Sequence, residues 1–441
     1  MSRWTLHALG GALFLSSFLS SALDPLAEEV PRWLLLYGIS TLLLGMVLLN
    51  HRGEREQGKG TPNWARSFSF SAGWILFWAV LIRVPLLSTS PSLSDDVFRY
   101  LWEGRVVAAG FDPYEESPES SLLSSLAEGA PEWEDVNHPH MPAIYPPGAQ
   151  WIFAALSRLG PSLTIYKLFF LFSDLLLCGF LLALLRARGQ PTYLATLYAW
   201  HPLAAVETAS SGHFDALAML PLFAGLLFWH RKRPRLAFLA WGFGVALKVV
   251  GGFAAVFALA SLVRRRLYLQ AGAGLALWML FPVALAAPFF LDGNLSFGSA
   301  GTYGAHWMNF GSIHALLSTA IGVHPARWFG LALGGAWTLW LLWRGASPLS
   351  GFFLFFLGML LLSPVVHPWY GLWLLVFVPF YPRWDLFALV SLLPLAYLAW
   401  SSQEAGGEWL PPPWAPWVAY GIPLVFLLAS LFRRRSGREP S

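Results

Sequence analysis

Apolar runs of the length that crosses a bilayer recur along most of this chain, and nothing else limits its fold as much. A hydrocarbon core about 30 Å thick takes roughly 20 consecutive apolar residues in a helix, and backbone facing lipid must satisfy its own hydrogen bonds. Runs of this kind lie near 4–22, 33–50, 68–88, 164–185, 191–208, 214–230 and 268–290, then near 327–343, 349–366, 369–382, 385–400 and 414–432. Between Leu236 and Val263 two shorter halves meet at Gly251-Gly252, as in a tight helical hairpin or a re-entrant pair. The expected fold is an all-α polytopic integral membrane protein of about twelve to fourteen transmembrane helices, forming one domain over residues 1–441. Composition agrees, with 56% of residues hydrophobic and only 12% charged, far from the average of a soluble domain.

Short loops rich in Lys and Arg orient the spans. Arg52, Arg55, Lys59 and Arg66 mark one such loop. Arg186 with Arg188, Arg231-Lys232-Arg233 with Arg235, Arg264-Arg265-Arg266, Arg344, Arg383 and Arg433-Arg434-Arg435 mark others. With Arg3 and Arg438 they share one side in a single alternating count, so both termini are expected in the cytoplasm. The first run has no small-residue cleavage site after it and is expected to stay as a span. The formal charge of +4 then reflects topology, and nucleic acid is not an expected partner. Cys178 is the single cysteine and lies inside an apolar run, which rules out an intrachain disulfide. There is no fixed-period repeat, P-loop, dinucleotide fingerprint or zinc spacing, so nucleotide-driven chemistry is not expected.

One long loop, residues 89–163, falls on the opposite side and holds Asp95, Asp96, Glu103, Asp112, Glu115, Glu116, Glu119, Glu128, Glu132, Glu134 and Asp135 of the 24 acidic residues. Loops of that length inside a compact protein tend to be functional or disordered. Ser92-Leu93-Ser94-Asp95 predicts a helix start with a Ser cap and an acid in the first turn. Asp96, Arg99 and Glu103 then recur on one face, with Val97, Leu101 and Ala108 on the other, as in a helix lying in the interfacial plane. Gly110 and Pro113 end it. Residues 115–135 read as the most mobile part, and 148–159 as a second interfacial helix.

The run Ser94 to Gly104 with Phe111-Asp112-Pro113-Tyr114, followed by Asn137-His138-Pro139 and Ile144-Tyr145-Pro146-Pro147, resembles the first extracytoplasmic loop of bacterial polyprenyl-phosphate-sugar-dependent glycosyltransferases of the GT-C type, especially their mannosyltransferase-like members. Gly212-His213-Phe214-Asp215-Ala216, the Lys248 hairpin and His367-Pro368-Trp369-Tyr370 extend the resemblance over nearly the whole chain. It implies a GT-C-like helical bundle in the bacterial cytoplasmic membrane. It also implies inverting transfer of a hexose, mannose above others, from a polyprenyl-phosphate donor to a lipid, glycan or protein hydroxyl on the outer face. An acidic residue of the first long loop acts as general base in such enzymes; by motif it falls on Asp96, with Asp95 next. Some relatives carry another residue at Asp95, so the pair need not work as a dyad.

Transfer from a lipid phosphate needs a base for the incoming hydroxyl, cationic or hydrogen-bonding groups for the departing phosphate and a water-poor pocket. Asp96 or Asp95 supplies the base, the other capping the helix. Arg99, Glu103 and Arg105 form either substrate contacts or an ion-pair ladder along one helix face. Lys248 has no carboxylate near it in sequence, so it either binds phosphate or snorkels to the interface. His201, Glu207, His213 and Asp215 ring the outer ends of two spans as donor or acceptor contacts, as ligands of a divalent metal, for which the spacing is not diagnostic, or as structural groups. His138 and Tyr145, held by prolines, are candidates to close the site from above. His367 with Trp369 and Tyr370 could stack on sugar or belong to an aromatic belt. No cofactor is expected, the lipid-linked sugar being a substrate.

Two other functions fit a chain of this composition. A transporter or flippase of lipid-linked saccharide would place charge near the midplane on broken helices in two related halves, whereas here the charge gathers in one loop. An oligosaccharide ligase or polymerase would use a later outer loop.

Overall fold

Backbone in an apolar setting is satisfied most simply by helices, and these make up most of the computed structural model, which describes residues 2–56, 72–290, 298–406 and 409–435. Among those residues there is no strand; isolated bridges join Asn309 and Phe310 to Val365. Five helical stretches are long and apolar enough to cross a membrane: Val30–Gly53, Leu163–Ala187, Tyr268–Phe290, Trp384–Glu404 and Trp414–Phe432. The chain is thus an all-α polytopic membrane protein. Arg3–Ser21 and Val323–Trp343 match further predicted runs. Lys59, Arg66 and Arg438, used above to orient the chain, lie outside the described residues, as do 68–71 of the third run.

Several runs read as single spans are broken, each at an identifiable residue. Among its described residues the third is an α-helix over Ala72–Arg83 and tightens to a 3-10 turn at Val84–Ser88, where Pro85 removes a donor. Residues 191–208 are a chain of short turns, Thr192–Ala195, Thr196–Ala199 and Pro202–Ala205, followed by a π-turn at Val206–Ser210. Residues 369–382 hold a full α-turn only at Gly371–Leu375. Trp384–Glu404 narrows to a 3-10 segment at Leu393–Tyr397 around Pro394. The hairpin is present, as Pro234–Leu247 and Ala254–Arg264, but the break starts at Lys248, one residue after the first half. Two helices the hydropathy pattern did not mark, Ala300–His306 and Ile313–Ile321, fill the connection before Val323.

The long loop is ordered into helices. Asp96–Ala108, here α1, ends before Gly110 in a positive-φ turn, as expected. Its start differs from the Ser-capped expectation: Asp95 occupies the cap position without a side-chain cap bond, and the Ser94 hydroxyl is 3.4 Å from the Asp96 N–H. Pro147–Leu159, here α2, packs along α1. Gly104 permits this, because a Cβ there would collide with the Phe153 carbonyl and the Tyr166 hydroxyl. Both faces of α1 are largely covered by protein: Val97, Arg99, Tyr100, Trp102 and Glu103 are all buried, and Asp96 is half-buried. Residues 115–135, expected to be the most mobile, form short helical turns whose Leu123 and Ala130, with Val136 just after them, pack on Trp102 and Val106.

Candidate active site

The π-turn after Pro202 brings acid and imidazole together. The Ser211 N–H reaches back to the Val206 carbonyl and the His213 N–H to the Glu207 carbonyl, at 2.9 and 2.8 Å. Gly212 between them has φ +70° and sits against Val97 and Lys167, a position that suits glycine. This fold-back places Glu207 Oε2 2.9 Å from His213 Nδ1. The Tyr397 hydroxyl donates to the other oxygen, Oε1, at 2.9 Å. π-turns of this kind often occur at functional sites.

On its other edge, His213 Nε2 lies 3.2 Å from the Ser94 hydroxyl and 3.8 Å from Asp96 Oδ2. Asn137 Nδ2 donates to Asp95 Oδ1 at 2.7 Å and to Asp96 Oδ1 at 3.1 Å, tying both carboxylates to the His138 loop. The His213 side chain is fully enclosed, while that of Asp96 keeps 22% of its surface open. Burial alone would push the imidazole of His213 down, but the Glu207 bond and the charges of Glu207, Asp96 and Asp215 outweigh it and hold His213 above its ordinary value. Burial first and the Asp96 charge second raise Asp95.

Phe214 and Asp215 continue from the same turn into the helix Asp215–His230. Asp215 Oδ1 accepts from Lys248 Nζ at 2.7 Å and from the Trp373 indole at 2.5 Å. The lysine therefore has a carboxylate partner, contrary to the lone cation expected from sequence. Its ammonium also lies 4.9 Å from the Phe214 ring, 4.8 Å from Trp373 and 5.8 Å from Tyr370, within cation–π range. Asp215 Oδ2 is buried with no hydrogen-bond partner among the described residues.

Stacked rings join these two clusters. Trp369 stacks on His213 at 4.2 Å and on His367 at 4.3 Å, and Tyr370 stacks on Trp373 at 4.4 Å. His367 meets the Tyr303 hydroxyl at 3.3 Å and the Asn309 amide at 3.0 Å, and is pushed down to about 4 chiefly by burial. Trp369 is buried, and His367 and Tyr370 are half-buried beside it.

The remaining candidates fall elsewhere or act structurally. Arg99 pairs with Glu103 at 2.7 Å and donates to the carbonyls of Asn137, His138 and Met141, pinning that loop over α1. Glu103 is completed by Gln150 at 2.6 Å. Arg105 pairs with Glu132, not with Glu103, so the exposed ladder expected on one helix face is two separate internal pairs. Tyr145 packs beneath the site against Tyr100, Phe153 and Phe214 and does not cover it. His138 lies at the loop surface with its ring edge on Trp307, 4.9 Å away. His201 is a buried helix cap, accepting from the Leu203 N–H at 3.2 Å and meeting Ser391 at 3.0 Å. Among the described residues no three His, Cys, Asp or Glu side chains gather as metal ligands.

Sequence reasoning gave no role to Asn137, Trp373, Tyr303, Asn309 or Tyr397, and to Ser94 only a share in a helix cap. Only Asn137 and Ser94 carried a signal, lying inside quoted motifs. The others come from late segments that fold back over the loop. A second buried pair was also unforeseen: Arg83 Nε donates to Asp174 Oδ2 at 2.6 Å inside two predicted spans, which corrects the expectation that charge gathers in the loop alone.

The family model for the alpha-(1->6)-mannopyranosyltransferase N-terminal domain matches residues 11–264. That stretch includes α1, the π-turn, His213, Asp215 and Lys248. No curated protein and no solved structure matches the chain.

Proposed function

Because this chain belongs to the alpha-(1->6)-mannopyranosyltransferase family and is a membrane mannosyltransferase, we propose that it moves mannose from a polyprenyl-phosphate donor to an acceptor hydroxyl on the outer face of the bacterial cytoplasmic membrane, with Asp96 as general base. The observation that supports this most is the geometry of Asp96. One oxygen is held by Asn137, the other lies 3.8 Å from His213, and the side chain is partly open while those of Glu207 and His213 are fully buried.

In this reading the acceptor O–H proton passes to the Asp96 carboxylate while the acceptor oxygen forms a bond to the anomeric carbon. The bond from that carbon to the phosphate oxygen breaks, and the lipid phosphate leaves with the electron pair. The phosphate is a stable anion and needs no strong general acid. Lys248 has three donors, one of them directed to Asp215, and is the proposed partner of the departing phosphate. Asp215 Oδ2, buried and unpartnered among the described residues, is proposed to accept from a hydroxyl of the donor sugar. A single displacement inverts the anomeric carbon, so the alpha bond in the family's name requires a β-linked donor. The same name points to the 6-hydroxyl of an acceptor hexose.

Membranes carrying the protein, supplied with a panel of radiolabelled polyprenyl-phosphate sugars, test this. Label should move from the β-mannosyl donor into a product opened by an alpha-(1->6)-mannosidase. Transfer from a nucleotide sugar instead, or none from any lipid phosphate, would contradict the donor assignment.

A further inference from the structure

Glu207 touches neither Asp96 nor Lys248, yet it is fully buried and both its oxygens are engaged. An ionised carboxylate only accepts hydrogen bonds. The 2.9 Å contact from His213 Nδ1 to Glu207 Oε2 therefore puts a proton on Nδ1. The Tyr397 hydroxyl fixes Oε1, so the carboxylate cannot turn away. On the far edge of the ring, Nε2 faces Ser94 Oγ at 3.2 Å and Asp96 Oδ2 at 3.8 Å, both able to accept. The ring plane is fixed as well, since Trp369 stacks on it at 4.2 Å with 24° between planes.

We infer that Glu207 is a positioning residue of the transfer reaction, holding His213 as a doubly protonated, rotationally fixed cation whose Nε2–H faces the Asp96 carboxylate. This rests on the reading of Asp96 as base. The consequence is electrostatic: a fixed positive charge beside Asp96 holds that carboxylate in register and offsets the negative charge of the arriving lipid phosphate. Orientation of a histidine by a carboxylate on its other nitrogen is a general way to set its protonation and its aim. The groups that set the charge of His213 come from several elements. Glu207 lies in its own turn, Asp96 at the start of α1, Asp215 on the following helix, Lys248 at the hairpin break, and His367 across the Trp369 stack.

Removing the Glu207 charge should let His213 lose its proton sooner, since an opposite charge at this distance shifts a titrating group by about one to three pH units. Full-length protein in native membranes or detergent, assayed with β-mannosyl polyprenyl phosphate across a pH series, gives the readout. In Glu207→Gln the alkaline limb of kcat/KM should move down by about one pH unit, with activity retained at the acid end. Tyr397→Phe, which frees one carboxylate oxygen and keeps the ring, should move it in the same direction by less. If the glutamine variant does not insert, the phenylalanine variant carries the test alone. An alkaline limb unmoved in the inserted variants overturns the positioning role and leaves Glu207 as packing. Asp96→Asn, run in parallel, separates the two ideas: wild-type activity there would sink the base assignment, whereas an inactive Asp96→Asn beside an unmoved limb would sink only the role of Glu207.

Discussion

Two clusters of buried charge, Arg83 with Asp174 and Asp96 with Glu207 and His213, are built from the same kinds of group and differ in whether one member reaches the outside. Arg83 and Asp174 are fully enclosed, 2.6 Å apart. Tyr198 donates to the second Asp174 oxygen at 2.6 Å, and the Ala199 and Ala79 carbonyls take one end of the guanidinium. Neither side chain of that pair has room to meet a substrate. In the other cluster Glu207 and His213 are equally buried, but Asp96 and Lys248 retain 22% and 17% of their side-chain surface. Burying charge in a membrane protein is costly, and the two clusters bear that cost differently. The sealed pair ties broken segments together, and the open one leaves a carboxylate and an ammonium where a reactant can arrive.

The contrast is broken most severely at its open end. Asp96→Asn should lower transfer by about 10²–10⁴-fold, the usual worth of a positioned base, with membrane insertion unchanged; Asp95→Asn should cost far less. Radiolabel transfer per inserted molecule measures both, and equal losses would make the acids a shared pair. At the sealed end the same kind of change should read out as stability. Arg83→Met leaves Asp174 charged and without its cation, at a cost of about 3–5 kcal/mol, seen as a fall in thermal unfolding temperature. The molecules that do fold should keep the wild-type turnover, and a loss of turnover without a loss of stability would make Arg83 part of the chemistry.

Lys248→Ala should act mainly on the donor. We expect its KM for polyprenyl-phosphate mannose to rise about tenfold, the effect of one charged hydrogen bond of about 1.5 kcal/mol. Unchanged donor dependence would mean that the ammonium serves only Asp215 and the surrounding rings. The smallest effect is on pH-dependent stability. His213 is held above its ordinary value, so its contribution is complete below about pH 6.5 and is lost as pH rises through the folded-state value. Thermal unfolding followed over that window should weaken in the wild type more than in His213→Gln; parallel curves would contradict a charged His213.

Much of this architecture can be read from residues alone, because lipid imposes a length and a composition on any helix that crosses it. The first two spans, the helix at Leu163–Ala187, the Asp215 helix, the hairpin halves and the Gly110 stop all lie where apolar periodicity and turn chemistry put them. The broken segments around Pro202, Gly371 and Pro394 escape such reading. A run of apolar residues looks the same whether it is one helix or several turns, and tertiary packing decides. The candidate site was legible where its residues share a motif, as with Asp95, Asp96, His213 and Asp215. It was not legible where a partner is supplied from a distance. Lys248 looked solitary because Asp215 is 33 positions away in sequence, and Arg99 looked exposed because the loop carbonyls that bury it lie about 40 residues on. His201 and His213 were both candidates, yet one caps a buried turn and the other faces Asp96.

In the proposed reaction the Asp96 carboxylate meets the acceptor hydroxyl at the open edge of the buried cluster. A structure of the protein holding both acceptor and an unreactive polyprenyl phosphonate tests it most directly. The acceptor oxygen should lie within about 2.6–3.2 Å of an Asp96 oxygen, with the phosphonate on the Lys248 side. An acceptor hydroxyl seated against another carboxylate, with Asp96 out of reach, would contradict it.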